Sequence, residues 1–534
     1  MNRRRFRFAA PALGFALALA SVARPVGAVP TSPISIDPTN PQYFLYDNQT
    51  IALVGTSAEY LCHVIQPDRV GYYCTFADYP AFLADLQARG LNKMRLWLGL
   101  NHSPGREPNR PGFPYDLEQP FAYNSTTGLW DWDNFSQKYF NAVFDVIQTA
   151  ANAGVIVEVV LFDPWSGDWT KGPWHPSRNN RGKGFTSRNK FVTGTVSGAD
   201  LEAQNKQLEF VDRIATALNP LHNFYWEIAN EPDLISSGSS LPISAITDWH
   251  DKVIQRLRAK EATLPNGHHL IAVNYHTNAA LATVRDNTYP LSVPHIGLVS
   301  GHYVAVSDYG TGSSQVRNGA IELENNWQIG PSASLAKAFG FNETRISPFQ
   351  TTLRSMRAEA WEFLLKEGGS YDHYGYDWQS ASAGNYRTQL GKLATFLRGL
   401  DLRNMARPTG ATPFWVSGLG TYGAGNKYWA AMQKVRHQYV LYVHHSVIDF
   451  TLPGDPAVTQ FAKYTPVAGS FSENLNVNLG SIAGTFDAEW IDPATGNVLS
   501  SVLGIAWNPA TMTSVNLVSP TYAFDIALRV KRRV

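Results

Sequence analysis

The chain contains 534 residues, of which 44% are hydrophobic, and it carries 44 Lys and Arg against 43 Asp and Glu. This length exceeds one small domain and suffices to bury a large core, and the apolar content argues against wholesale disorder. The near balance of charges argues against a nucleic-acid-binding protein, because such proteins usually carry a basic excess.

The first 28 residues have the pattern of an export signal. A basic start precedes an apolar stretch from Ala9 to Ala23 and a small-residue ending at Val26-Gly27-Ala28, and the stretch is too short to span a bilayer comfortably. Arg3-Arg4-Arg5-Phe6 resembles the twin-arginine pattern, with an ordinary Sec signal as the alternative. Cleavage near Ala28 leaves 39 basic against 43 acidic residues. We therefore expect a soluble, slightly acidic monomer, without a membrane-spanning segment, that is exported to the periplasm or the cell exterior.

Cys62 and Cys74 are the only cysteines, twelve positions apart. In an exported protein, two cysteines this close are expected to form one disulfide that closes a local loop, and two reduced, buried thiols are the alternative. Without a nearby pair of histidines they do not make a zinc site. We expect no metal ion and no cofactor.

From about Ile51 to Tyr374, apolar strand-like runs alternate with amphipathic helical segments. Such alternation predicts a parallel sheet covered by helices. Eight strand–helix units predict an α/β fold of the (β/α)8 TIM-barrel type, and a doubly wound open sheet is the alternative. In chain order the predicted strands are Ile51–Gly55, Lys93–Leu100, Val155–Phe162, Asn223–Ala229, His269–Tyr275, His295–Tyr303, Gly319–Glu324 and Gly369–Gly375.

Helix punctuation accompanies these runs. A helix over Pro80–Arg89 has Pro at its start and Gly just past its end, and Asp133 and Asp200 are predicted N-caps of two further helices. From about Arg407, short alternating runs separated by Gly, Pro and Thr predict an all-β sandwich. The predicted organisation is a signal at residues 1–28, a catalytic barrel at 33–408 and an accessory β-sandwich at 409–534.

The strongest chemical signal is an apolar strand, Asn223–Ala229, that runs directly into Asn230-Glu231-Pro232. In a parallel barrel this places Asn230 and Glu231 at the C-terminal rim of the fourth strand, where barrel active sites lie. Pro232 ends the strand because it has no N–H to donate. A carboxyl group at the end of an apolar strand can have its pKa raised by desolvation, which suits a general acid.

This motif resembles the large clan of (β/α)8 retaining glycoside hydrolases that includes the cellulase-like glycoside hydrolase family 5. The resemblance covers about residues 33–408. It implies that Glu231 is the acid/base catalyst, that Asn230 contacts the substrate 2-hydroxyl, and that the nucleophile is a second Glu at the end of the seventh strand. Glu324 fits that place in the predicted strand Gly319–Glu324, because it follows Glu231 by 93 residues, the length of three units in a barrel of ~250 residues. Glu322 points the same way and is the reserve nucleophile.

Other positions match the clan's substrate-binding site. Arg95 on the second strand is expected to keep the nucleophile ionised. His302 and Tyr303 end the sixth strand near the nucleophile, and Trp378 follows the eighth strand as a sugar platform. Two long loops carry five tryptophans, whose flat faces can stack on sugar rings. These are Trp130, Trp132, Trp165, Trp169 and Trp174, with Trp165 and Trp169 assigned to substrate binding.

The sequence therefore predicts an exported glycoside hydrolase that cleaves the O-glycosidic bonds of a polysaccharide or oligosaccharide with retention. One alternative is a non-catalytic carbohydrate- or matrix-binding protein on a degenerate barrel. Another is a transglycosylase, in which the same residues use a sugar acceptor. The sequence contains no H-E-x-x-H, no G-x-S-x-G and no Walker A loop.

Overall fold

The structure is a computed structural model that describes most of the chain. The described residues are 30–58, 78–98, 119–164, 170, 172–233, 241–275, 293–302, 304–306, 314–316, 319–323, 337–344, 352–374, 381–408, 415–449, 458–461 and 463–533. The predicted signal and the two cysteines lie outside them. In the part of the chain that is described, no helix is long and apolar enough to cross a membrane.

The strands and helices are numbered in chain order. The strands are β1 Ser35–Ile36, β2 Phe44–Tyr46, β3 Gln49–Ile51, β4 Leu53–Ala58, β5 Lys93–Trp97, β6 Phe121–Asn124, β7 Leu129–Phe135, β8 Ile156–Phe162, β9 Phe224–Ala229, β10 Ile271–Tyr275, β11 Ile296–His302, β12 Val304–Val306, β13 Ser314–Val316, β14 Ala338–Asn342, β15 Ser370–Tyr374, β16 Val416–Ser417, β17 Lys427–Lys434, β18 Gln438–Asp449, β19 Val458–Phe461, β20 Lys463–Pro466, β21 Asn474–Val477, β22 Gly484–Ile491, β23 Val498–Trp507, β24 Val515–Val518 and β25 Asp525–Arg532. The α-helices are α1 Asp78–Arg89, α2 Gln137–Asn152, α3 Arg188–Phe191, α4 Ala199–Leu218, α5 Ile243–Glu261, α6 Gly319–Glu322, α7 Leu353–Leu365 and α8 Ala381–Arg398.

Eight of these strands form a closed parallel barrel in the order β4-β5-β8-β9-β10-β11-β14-β15. This confirms the predicted (β/α)8 class and excludes the open sheet. Every residue of β8 and of β9 is buried, as expected for strands covered on both faces. Their near-continuous apolar sequence follows from that burial. Parallel strands all end at one rim, so the residues that follow them meet there.

The seventh barrel strand differs from the prediction. Gly319–Glu322 forms the short helix α6, and the seventh strand is β14, Ala338–Asn342, which pairs with β11 and β15. The prediction of a strand at Gly319–Glu324 is therefore wrong. The Gly319 N–H donates to the Glu359 carboxylate on α7 at 2.7 Å, so this segment packs on a helix and takes no part in the sheet.

Two helix starts also differ from the prediction. β7 continues through Asp133 to Phe135, and the N-cap of α2 is Ser136, whose hydroxyl accepts from the Tyr139 N–H. Gly198 is the N-cap of α4, and Asp200 lies in the first helical turn. There its carboxylate still faces the positive end of the helix dipole.

The C-terminal region forms two antiparallel sheets with an apolar core between them. One sheet has the order β16-β21-β24, and the other has the order β17-β18-β25-β22-β23, with β20 pairing β18. Leu475 and Leu517 of the smaller sheet pack in one cluster with Leu441, Phe486 and Trp490 of the larger sheet. The alternation of buried and exposed residues along β21 and β22 is the pattern expected of a sandwich strand.

Helix α7 lies between the barrel and the sandwich. Arg357 on α7 donates through Nε and Nη2 to the two carboxylate oxygens of Asp525 on β25, at 2.6 and 2.7 Å, and both side chains are buried. One turn further along the helix, the Glu362 carboxylate contacts His444 Nε2 on β18 at 3.1 Å. The sandwich is therefore joined to the barrel by buried charged contacts as well as by apolar packing.

Candidate active site

Glu231 and Glu343 lie at the same rim of the barrel. Glu231 is the second residue after β9, and Glu343 follows β14 directly. Both residues are almost fully buried, with relative exposures of 3% and 5%. Both residues have a positive φ, 45° and 56°, a backbone conformation that is uncommon for residues other than glycine and is concentrated at functional sites.

Arg95 on β5 connects the two strand ends. Its Nε donates to Glu227 at 2.8 Å, its Nη2 donates to Glu227 at 2.5 Å and to Asn230 Oδ1 at 2.8 Å, and its Nη1 donates to Glu343. Arg95 is fully buried and lies over the Trp97 ring, 4.2 Å from its centroid. Pairing with two carboxylates raises the pKa of this guanidinium above its ordinary value although burial opposes its charge, so it remains a fixed cation.

His302, the last residue of β11, lies between the two glutamates. Its Nδ1 is hydrogen bonded to Glu231 Oε1 and lies 3.7 Å from Glu343 Oε2. Burial is the main cause that lowers the pKa of His302 to about 4, and Arg95 lowers it further, against the opposing effect of Glu343. The imidazole is therefore neutral near pH 7 and can orient a carboxyl group without adding a charge.

The two glutamates both titrate above the ordinary carboxyl range. Burial raises the pKa of Glu231 to about 8, and the neighbouring Asp233 and Asp163 also raise it, whereas Arg95 lowers it. Burial raises the pKa of Glu343 to about 7, with His302 and Arg95 lowering it. Because Arg95 forms an ion pair with Glu343 and not with Glu231, we assign the lower pKa of the pair to Glu343.

A charged layer supports the site from inside the barrel. Lys93 pairs with Glu158 at 2.8 Å and with Asp372 at 2.7 Å. These ion pairs raise the pKa of Lys93 although its burial opposes the charge. Burial and the neighbouring Glu158 raise the pKa of Glu227, while Arg95 lowers it. Charges this deep are tolerated only when they are paired and hydrogen bonded, so the layer fixes the positions of Arg95 and Asp372.

One ligand atom from each of Glu231, His302 and Glu343 lies within 4.8 Å of the others. These are donor types that can hold a divalent ion. The Arg95 guanidinium already pairs with the Glu343 carboxylate, and its positive charge would repel a metal ion bound at the same place. The arrangement suits two carboxyl groups that act on a substrate placed between them.

The structure brings together four of the predicted site residues and places Glu343 beside them. At the rim Arg95 contacts Asn230, and His302 contacts Glu231. Glu324 lies outside the described residues, and Glu322 is the last residue of helix α6. Both were nucleophile candidates because a strand was predicted at Gly319–Glu324, and Gly319–Glu322 is helical instead. Tyr303, Trp165, Trp169 and Trp378 also lie outside the described residues.

The other three loop tryptophans form an aromatic cluster. Trp130, Trp132 and Trp174 are each 1% exposed. The Phe121 ring lies 6.1 Å from that of Trp132 and 5.4 Å from that of Trp174, and Trp132 Nε1 donates to the Pro173 carbonyl at 3.0 Å. These side chains form the core of the rim loops and do not offer a free face to a sugar.

Sequence reasoning missed Glu343, although the chain contains a signal for it. Phe341-Asn342-Glu343 repeats the order of apolar strand, Asn and Glu that identified Asn230 and Glu231. The strand is only five residues long and contains a glycine, so its apolar run is weak. Glu343 follows Glu231 by 112 residues, because segments longer than a minimal unit separate the strands.

A closed parallel barrel with two buried glutamates and an arginine at its C-terminal rim defines the class of barrel glycosidases. The family model for cellulase, glycosyl hydrolase family 5, matches residues 53–338, and the chain belongs to this family. The match includes Arg95, Glu231 and His302 and ends at the first residue of β14. The protein is a glycosidase, and its substrate is a carbohydrate.

Comparison with solved structures agrees with this assignment at the level of the fold. A glycoside hydrolase family 5 structure from Bacteroides vulgatus has 11% identity, a TM-score of 0.55 and coverage of 93% of each chain. A second structure, named only as a glycoside hydrolase, has 11% identity and a TM-score of 0.53, with coverage of 94% of this chain and 97% of that chain. These matches extend over the sandwich as well as the barrel. No curated protein matches the chain.

Proposed function

We propose that the protein is an exported glycosidase that hydrolyses O-glycosidic bonds of an oligosaccharide or polysaccharide with retention, with Glu343 as nucleophile and Glu231 as acid/base catalyst. The observation that carries this proposal is the short distance between two buried carboxyl groups. One oxygen of Glu231 and one oxygen of Glu343 lie within 4.8 Å of each other. Retaining enzymes have carboxyl groups ~5–5.5 Å apart, whereas inverting enzymes leave ~6.5–9.5 Å for a water molecule.

The two roles follow from the different partners of the glutamates. Arg95 forms an ion pair with Glu343, which favours its carboxylate form and suits a nucleophile. Glu231 contacts the neutral His302 and has the higher pKa, about 8, so it is protonated near pH 7 and suits a general acid. Asn230, whose Oδ1 accepts from Arg95, is oriented with its amide nitrogen available to a substrate hydroxyl.

The reaction then has two steps. In the first, the Glu343 carboxylate attacks the anomeric carbon, the bond to the glycosidic oxygen breaks, and that oxygen leaves with the proton of Glu231. In the second, the Glu231 carboxylate removes a proton from a water molecule whose oxygen attacks the anomeric carbon. The ester to Glu343 breaks, and both glutamates return to their initial states.

Export and the disulfide belong to the same proposal. The basic, apolar and small-residue segments of residues 1–28 support a cleaved signal. An oxidising compartment would favour the pairing of Cys62 with Cys74. N-terminal sequencing of protein recovered from the producing cell tests the first point, with Val29 as the expected first residue. Recovery of the intact N-terminus in the cytoplasm would contradict export.

A panel of aryl glycosides and polysaccharides tests the activity, and azide rescue tests the roles of the two glutamates. We expect Glu343→Ala to lose hydrolysis of a 2,4-dinitrophenyl glycoside found in that panel. Glu231→Ala should keep most of kcat/KM on this substrate, whose leaving group needs no proton, but lose kcat, because water in the second step lacks its general base. Azide added to Glu343→Ala should replace the nucleophile and give a glycosyl azide of inverted configuration. Azide added to Glu231→Ala should attack the glycosyl-enzyme and give the retained configuration.

Glu324→Ala is the matched control, since Glu324 was the nucleophile expected from sequence. It should hydrolyse the same substrate at the wild-type rate. An inactive Glu324→Ala that azide rescues with inversion, beside an active Glu343→Ala, would move the nucleophile to Glu324. An inverted product from the wild-type enzyme, observed by NMR before mutarotation, would contradict the retaining mechanism.

A further inference from the structure

We propose that Asn274 and Asp372 are positioning residues that hold the two glutamates by their backbone N–H groups. This inference rests on the proposed function of Glu231 and Glu343. The Glu231 N–H donates to Asn274 Oδ1 at 3.1 Å, and the Glu343 N–H donates to Asp372 Oδ1 at 3.0 Å. Both acceptor side chains are fully buried.

The two contacts occupy equivalent places in the barrel. Asn274 lies on β10, the strand next to β9, which precedes Glu231. Asp372 lies on β15, the strand next to β14, which precedes Glu343. In each case the acceptor comes from the following barrel strand, so the same device serves the fourth and the seventh strand.

These two side-chain oxygens give the backbone N–H groups of the glutamates an acceptor at the point where the strands end. Both glutamates lie past the last residue of their strand and have a positive φ, so the regular hydrogen-bond ladder of the sheet does not continue through them. A buried N–H without an acceptor is costly. The side-chain oxygen supplies that acceptor and selects the backbone conformation that turns each carboxyl group into the rim.

Each acceptor is itself fixed by a second contact. Asp372 Oδ2 accepts from Lys93 at 2.7 Å. Asn274 Nδ2 donates to the Asn342 side chain at 3.3 Å, and Asn342 is the residue before Glu343. The orientation of the Asn274 amide is determined, because a backbone N–H can only donate and its partner must be the oxygen. Asn274 thereby connects the backbone of one glutamate to the strand that carries the other.

The test compares alanine with near-isosteric variants, using hydrolysis of the 2,4-dinitrophenyl glycoside by the full-length enzyme. Asn274→Ala and Asp372→Ala should lower kcat about 10- to 100-fold with little change in KM, since a small displacement of a reacting group has effects of this size. Asn274→Asp and Asp372→Asn keep an acceptor oxygen at the same place. They should recover at least half of the lost kcat on a logarithmic scale.

Asn223→Ala is the matched control. Asn223 is also a buried asparagine, but it precedes β9 at the opposite end of the barrel and donates to the Ile147 and Val155 carbonyls at 3.0 and 3.1 Å. Its removal should lower the melting temperature without changing kcat. Melting curves of all variants separate a loss of folding from a loss of position.

Three results would overturn the positioning role. The first is an unchanged kcat in folded Asn274→Ala and Asp372→Ala. The second is a loss of kcat in Asn223→Ala as large as in those two variants. The third is a kcat in the near-isosteric variants that is no higher than in the alanine variants. A large loss of kcat in Glu231→Gln and in Glu343→Gln, measured in parallel, would show that the proposed function stands in such a case. If instead the two glutamine variants keep the wild-type kcat, the assignment of the glutamates is what fails.

Discussion

Arg95 and Glu343 form a buried ion pair that joins the second strand of the barrel to the end of the seventh. The same guanidinium also holds Glu227 and Asn230 on the fourth-strand side of the rim. A single side chain therefore sets the distance between the two strand ends that carry Glu231 and Glu343. A planar fork with five N–H donors can meet these partners together, which the single ammonium of a lysine cannot do.

Replacing Arg95 by Lys should therefore lower kcat strongly although the charge is kept. We expect a loss of about 10²-fold or more, the size seen when one preorganised donor is removed from an active site. The measurement is kcat and KM on an aryl glycoside, together with a melting curve to verify folding. A folded Arg95→Lys enzyme with near wild-type kcat would show that charge alone suffices at this position.

The pH dependence follows from the two raised carboxyl pKa values. Glu343 must be ionised, so kcat/KM should fall as the pH decreases through about 7. Glu231 must be protonated, so kcat/KM should fall as the pH rises through about 8. The free enzyme should thus show a bell-shaped profile with its maximum between these values, and the two limbs belong to the interacting pair.

Glu231→Gln tests the origin of the basic limb. With a phenyl glycoside, whose leaving group needs a proton, the variant should lose about 10²- to 10⁴-fold in kcat/KM. With a 2,4-dinitrophenyl glycoside it should retain most of kcat/KM, without the decrease above pH 8, and the acidic limb of Glu343 should remain. A basic limb that persists in Glu231→Gln would assign it to another group.

The fourth strand could be predicted from sequence, whereas the seventh could not. Phe224–Ala229 is a fully buried run that is apolar at every position except Glu227, and Asn230 and Glu231 follow it without interruption. β14 has five residues, and one of them is Gly340. Gly319–Glu322 carries one apolar pair between a glycine and a glutamate, and such a short run does not distinguish a strand from a helical turn. The Gly319 N–H donates to Glu359 on α7, and this contact with a residue distant in sequence favours the helical turn.

The charged layer inside the barrel also has a signal in the sequence, namely acidic residues within apolar strands. Glu158 and Glu227 each interrupt an otherwise apolar strand, and acidic residues are almost never fully buried unless they are paired. Such an interruption therefore indicates a buried partner. The identity of the partners, Lys93 and Arg95, depends on which strands close the barrel, and no local pattern contains that information.

The pairing of Cys62 with Cys74 is a prediction for the exported protein. The closed loop is short, so the disulfide should add about 3 kcal/mol to the free energy of unfolding. The measurement is denaturant unfolding of the wild type against the double variant Cys62→Ser and Cys74→Ser, with the bond verified by peptide mapping under non-reducing conditions. Two alkylatable thiols in protein recovered from the cell exterior would contradict the pairing.

The contact between Arg357 and Asp525 predicts that the sandwich stabilises the barrel. Both side chains are buried and joined by two short hydrogen bonds, so Asp525→Ala leaves a buried guanidinium without its carboxylate. The free energy of unfolding should fall by about 3–5 kcal/mol. The half-exposed pair Arg256–Asp212 between α4 and α5 is the control, and Arg256→Gln should cost about 0–1 kcal/mol. Denaturant unfolding monitored by tryptophan fluorescence measures both. Equal and small losses in the two variants would show that the Arg357–Asp525 pair contributes little to holding the sandwich against α7.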